Sequence, residues 1–130
     1  MDQPSAENPH KGKTGLHRLW NALCYSTAGL SAAFKYEDAF RQEIFLASVL
    51  VPVALLIPVG YLGKALMIGS VLLVLIVELL NSAVEATVDR ISFDDHRLAK
   101  RAKDLGSAAV LFSLINTVVI WTLVLLSRTA

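Results

Sequence analysis

Glu78, Glu85 and Asp89 follow a stretch, residues 65–77, that carries no charge at all. At about 100° per residue the three acids fall within roughly 40° of one helix face, and Asn81 and Ser82 flank them. The opposite side, Leu79, Leu80 and Val84, is apolar. Acids inside or at the rim of a membrane helix are expensive, which makes them functional candidates by default. A carboxylate held there can act as a general base toward a hydroxyl group.

A second group of acids, Glu37-Asp38-Ala39-Phe40-Arg41-Gln42-Glu43, precedes the first long apolar run. A basic stretch follows the acid stripe: Arg90, Arg97, Lys100, Arg101 and Lys103. Acids beside bases at one interface fit a divalent cation carried with a polyphosphate. Magnesium takes one or two protein carboxylates together with phosphate oxygens and keeps some waters. Glu37 and Glu85 could supply those carboxylates, and Lys103 and Arg18 could offset phosphate charge. Glu78, one to two turns deeper than Glu85, would sit at the level of a lipid headgroup.

Plainer accounts of the same residues stand beside this. Glu78 could hold helices together by bonding Asn81 of a neighbour. Asp94 and Asp95 could simply cap the helix that begins after them, the simpler account on pattern alone. Lys100, Arg101 and Lys103 could set topology or touch anionic lipid. Asn116 suits packing, and His10 and His17 have no partner in view. Three acids on one face still favour a functional reading.

The elements that would position these residues are helical. Three apolar stretches approach the roughly 20 residues needed to cross a bilayer: 44–62, 65–87 and 105–126. Pro52 and Pro58 are expected to kink the first, and Gly60 to Lys64 to turn the chain into the second. Ser113, Asn116 and Thr117 are polar points on the third that could bond a neighbouring helix. Before the first span, Leu16, Leu19, Trp20, Leu23, Thr27, Leu30 and Phe34 recur at helical spacing. They predict an amphipathic helix over 16–36, lying on the membrane surface or packed on protein. Residues 1–15, with Pro4, Pro9, Gly12 and Gly15, read as a disordered tail and not as a signal peptide. Basic residues gather before the first span and in the 89–104 loop. The positive-inside rule then places both in the cytoplasm and the C-terminus outside.

The chain has 130 residues, 55% of them hydrophobic, and a formal net charge of +1. That composition indicates a small all-helical membrane protein of one embedded domain, 16–130, and gives no electrostatic case for a nucleic-acid partner. The one cysteine, Cys24, excludes an internal disulfide and a cysteine-rich metal site. No phosphate-loop or protein-kinase motif occurs, so any use of ATP would not rely on the usual nucleotide folds.

The segments Glu78-Leu-Leu-Asn-Ser-Ala-Val-Glu85, Val88-Asp89-Arg90-Ile91 and 96–110, with Glu37 to Glu43 upstream, resemble the prokaryotic diacylglycerol kinase family. The resemblance runs over about residues 16 to 126. It implies a homotrimer in the bacterial inner membrane, with active sites shared between subunits, that makes phosphatidic acid from diacylglycerol and MgATP. By the same resemblance Glu78 is the catalytic base, Asn81 belongs to the catalytic stripe, and Glu37 and Glu85 hold Mg²⁺. Nucleotide contacts are implied at Arg18, Tyr25, Glu37, Glu85, Asp94, Asp95, His96, Lys103 and Asp104. Lipid contacts are implied at Ala22, Ser26, Ser31, Phe34, Ala39, Arg41, Gln42, Glu43, Glu78 and Ser107. The chain departs from the family pattern at Thr27, Ala28 and Ser31. Two rival readings remain: an undecaprenol kinase of the same fold, and a non-enzymatic membrane protein whose acids line a cation path. The second leaves Lys103 and Glu37 without a role.

Overall fold

The computed structural model describes residues 15–91 and 96–128, and among these every regular element is an α-helix. In chain order they are α1 (Leu16–Tyr36), α2 (Asp38–Leu56), α3 (Tyr61–Ile91) and α4 (Arg97–Ser127). The last three are long and apolar enough to cross a membrane. The chain forms two compact units, one reaching to Ala32 and the other beginning at Ala33.

The first unit is the body of α1. Gly15 precedes it with φ +72°, a conformation glycine adopts without penalty. Ser26 and Thr27 turn their hydroxyls back onto the Ala22 and Leu23 carbonyls, at 2.8 and 2.9 Å, so neither leaves an unmet donor. Leu19, Trp20, Leu23 and Leu30 are exposed.

In the second unit α3 is central and packs against both α2 and α4. The α2 face that packs inward places Phe40, Ala47 and Ala54 seven residues apart, all buried. The two alanines let the backbones approach closely, as membrane helices require. On α3 the buried stripe is Met67, Ser70, Val71, Val74 and Glu78. Against it α4 runs antiparallel: Trp121 Nε1 donates to the Met67 carbonyl and Thr117 Oγ1 to that of Ser70, each at 3.2 Å. Thr117 thus makes the interhelical bond expected of it, while Ser113 bonds back within α4 to Val110. A small apolar core of Ala54, Met67 and Val124 ties the three helices together. The outward faces carry exposed large residues such as Phe45, Leu72, Phe112 and Val118. A soluble protein would have to hide that surface, and hydrocarbon need not.

The first span ends earlier than its apolar pattern predicts. Helix α2 stops at Leu56, and Ile57 is extended, with φ −72° and ψ 148°. The cause is Pro58, whose ring disfavours helical geometry in the preceding residue. Pro58 therefore terminates the helix rather than kinking it, and only Pro52 lies inside. The turn is accordingly 57–60, and Tyr61 to Lys64 form the first turn of α3. Lys64 Nζ reaches across to the Leu55 carbonyl at 2.6 Å, satisfying one of the acceptors that the end of α2 leaves open.

Candidate active site

The acid stripe continues the buried face of α3. Positions 67, 71, 74 and 78 step by four, three and four residues, and 81, 85 and 89 extend the same row. The row is apolar through Val74 and becomes acidic at Glu78, which is only 5% exposed. Glu78 Oε2 is buried without a hydrogen-bond partner, and so is Asn81 Oδ1. A buried polar atom left unmet costs about 1–3 kcal/mol, more when charged. The two unmet atoms lie one helical turn apart on α3.

Asn81 Nδ2 donates to Glu85 Oε1 over a long 3.4 Å, which ties Asn81 to the shallower acid of the stripe. Within the chain it does not bond Glu78. Opposite Asn81, α4 presents Gly106, where a side chain would collide with Asn81 Oδ1. The helices approach this closely only because position 106 has no Cβ.

Further along the stripe, Asp89 Oδ1 meets Lys103 Nζ at 2.6 Å. Lys103 lies before the uncharged span that begins at Leu105, and both side chains are roughly half exposed. The hydrogen bond that Lys103 donates to Asp89 holds its ammonium above the usual lysine range. Lys100 and Asp104 pair at 2.8 Å one turn apart on α4. Helix α4 is capped by His96, whose Nδ1 accepts from the Leu98 amide at 3.1 Å, so the cap falls on His96. Asp94 and Asp95, expected at the nucleotide, lie outside the described residues.

The α1–α2 junction brings the second group of acids to this end of α3. Glu37 is the single extended residue between the two helices, with φ −112° and ψ 106°. Arg41 fixes the corner: it donates to the carbonyls of Phe34 and Lys35, both at 2.9 Å, and pairs with Asp38. It thereby closes the open carbonyl end of α1, a structural task that the sequence pattern did not announce. The carboxylates of Glu43, Glu85 and Glu37 lie close enough to Glu78 for their charges to couple with it. Four acids, one from α2, two from α3 and one from the corner between α1 and α2, thus lie within electrostatic reach of one another around Glu78. Among the described residues no three His, Cys, Asp or Glu side chains form a ready-made metal cage. An all-oxygen set of one or two carboxylates is nevertheless the donor chemistry that Mg²⁺ accepts when phosphate completes its shell.

The other expected site residues distribute as follows. Ala39 and Gln42 are exposed near the corner, and Ser107 is exposed one position beyond Gly106. Arg18, Ala22, Tyr25, Ser26 and Ser31 belong to the first unit. Gly106 was not singled out from sequence; the small-residue run Gly106-Ser107-Ala108-Ala109 was the available signal for a close helix approach.

A family model described as prokaryotic diacylglycerol kinase matches residues 24–125, from the middle of α1 almost to the end of α4. The chain belongs to the prokaryotic diacylglycerol kinase family. A diacylglycerol kinase of Pseudomonas aeruginosa is 56% identical over 119 residues, covering 92% of this chain and 97% of that protein. One from Escherichia coli K12 is 48% identical over 115 residues, covering 88% and 94%. One from Helicobacter pylori strain 26695 is 43% identical over 115 residues, covering 88% and 89%. The match to the diacylglycerol kinase family includes Glu37, Glu43, Glu78, Asn81, Glu85 and Lys103, and leaves out Arg18.

Proposed function

We propose that this chain is an ATP-dependent lipid kinase that moves the γ-phosphoryl group of ATP to the free hydroxyl of diacylglycerol, giving phosphatidic acid. Membership of the diacylglycerol kinase family supports the reaction. The observation that carries its location is Glu78: an almost fully buried acid with an unmet oxygen, placed where an apolar face meets a group of acids and bases.

In this reading Glu78 takes the proton from the lipid hydroxyl as the oxygen attacks the γ-phosphorus, and the bond from that phosphorus to the β,γ-bridging oxygen breaks to release ADP. Asn81 holds the Glu85 carboxylate and marks the boundary between the lipid and nucleotide parts of the stripe. Glu37 and Glu85 would hold Mg²⁺, which offsets phosphate charge when bound with ATP. Lys103 has three N–H donors, so its bond to Asp89 leaves capacity for phosphate oxygens. Arg18, Tyr25, the 94–96 segment and Asp104 would complete the nucleotide contacts. Residues Ala22, Ser26, Ser31 and Phe34 of α1, Ala39 to Glu43 and Ser107 would border the lipid. Phosphoryl transfer depends mainly on positioning and charge stabilisation, which suits so small a scaffold.

A homotrimer in the inner membrane, with the acidic end in the cytoplasm and the C-terminus outside, accompanies this reading. The clustering of basic residues at the acidic end supports the orientation. The stripe supports the assembly, since three helices alone poorly enclose so polar a row. Nothing in the relatives' names favours a polyprenol acceptor. The test is Mg²⁺-dependent transfer of labelled phosphate from ATP to diacylglycerol by purified protein in mixed micelles. Labelled phosphatidic acid is expected, and folded protein that yields none overturns the reading.

A further inference from the structure

The end of the molecule away from the acids carries a feature that the kinase reading does not use. The turn between α2 and α3 and the end of α4 enclose an open groove of about 480 Å³. That volume lies within the roughly 300–1,000 Å³ of ordinary small-ligand sites. Pro58, Leu62, Leu66, Leu123 and Val124 line it, together with Ser127 and Arg128. Gly63 forms part of its floor, where an added Cβ would come within 3.0 Å of Val124 Cγ1. The lining is therefore mainly apolar, and Arg128 is its one charged residue.

The charge pattern around it is one-sided. From Ile44 to Val77, and again from Leu105 to the C-terminus, the sequence contains no Asp or Glu. The charged side chains in those stretches are Lys64 and Arg128 alone. The antiparallel packing of α3 and α4 brings both to the same end of the bundle. We infer that this groove is a binding site for an anionic phospholipid of the bilayer, with an acyl chain along the leucine wall and the phosphate at Arg128. A guanidinium offers paired donors that match phosphate geometry.

Charge complementarity selects this occupant over a second copy of the chain. Copies assembled about an axis along the membrane normal present the same level of the bundle to one another. Each would bring its own Lys64 and Arg128 and no acid, so cation would face cation. A phosphodiester brings the opposite charge. The apolar walls also exclude a free inorganic anion, which would leave Leu62, Leu66 and Leu123 unoccupied.

The test needs no ATP, so its result is independent of the kinase reading. Native mass spectrometry would count phosphatidylglycerol and phosphatidylcholine retained per subunit after the detergent-solubilised protein is mixed with equal amounts of each. Phosphatidylglycerol should be preferred by about fivefold at this site, the weight of one basic residue near an anionic surface. Arg128→Gln, at an exposed helix end, should abolish that preference, so that the site retains the two lipids equally. Gly60→Leu should instead lower the total lipid retained by about one molecule per subunit by filling the groove, because position 60 has open space around it. Arg101→Gln, at the opposite end, should leave this molecule in place. Equal retention of the two lipids by the parent overturns the proposal. So does an unchanged phosphatidylglycerol count in both groove variants.

Discussion

Asn81 rests against the backbone of Gly106, so that a methyl group added there would strike Asn81 Oδ1 and lie 3.2 Å from the amide carbon. The amide is thereby held toward Glu85 by the shape of α4 as well as by its own weak hydrogen bond. Gly106→Ala should turn Asn81 out of the stripe. Overpacking of this kind costs about 1–3 kcal/mol, and a misplacement near 1 Å at a reacting centre costs about 100-fold in rate. Turnover should fall by about that factor while the protein still folds. Combining Gly106→Ala with Asn81→Ala should restore thermal stability and leave turnover low. Wild-type turnover in Gly106→Ala would show that the contact has no bearing on the reaction.

Glu78 is the deepest acid, and its unmet oxygen has no structural purpose within the chain. Glu78→Gln keeps the volume and removes the base. Lipid phosphorylation should drop by about 100- to 10,000-fold, the usual contribution of a positioned general base. Binding of a fluorescent ATP analogue should be retained, since Glu78 lies about 10 Å along the helix from Glu85. A variant that turns over like the parent would remove Glu78 from the chemistry.

The acid stripe was readable from sequence because helical periodicity and the cost of charge in an apolar run both mark it. Glu78, Asn81, Glu85 and Asp89 do share one face, continuous with Met67, Val71 and Val74. The three long helices were readable for the same reason of hydropathy. The end of α2 was not, because hydropathy runs on through Ile57 and Val59 while the backbone obeys Pro58. Arg41 reads as a lipid or phosphate contact because its charge is visible. Its bonds to the Phe34 and Lys35 carbonyls depend on a corner that only three dimensions reveal. Gly106 was silent because glycine signals its role by what it lacks.

Glu85 accepts from Asn81 and lies within electrostatic reach of Glu78, the placement expected of a carboxylate that serves the nucleotide rather than the lipid. Glu85→Gln should raise the apparent KM for MgATP by about tenfold, equivalent to about 1.4 kcal/mol. The defect should shrink as free Mg²⁺ is raised, while the KM for diacylglycerol stays constant. A change confined to the lipid KM would move Glu85 to the other half of the site.

The Asp89–Lys103 pair gives a test in pH. Its hydrogen bond holds the Lys103 ammonium above the ordinary lysine range. A lysine whose folded value is raised contributes stability that is complete below its unfolded value, about 10.4. That stability is lost as pH climbs through the higher folded value. Thermal stability attributable to the pair should therefore be level from about pH 7 to 9 and decline only above about pH 10. Asp89→Asn should remove that alkaline component and leave the neutral-pH helix content unchanged by circular dichroism. Lys103→Met should remove it too, and should raise the KM for ATP as well, because it deletes the cation; Asp89→Asn should leave that KM within about twofold. If Asp89→Asn weakened ATP binding as much as Lys103→Met, Asp89 would be setting the ammonium in place for phosphate rather than merely sharing it.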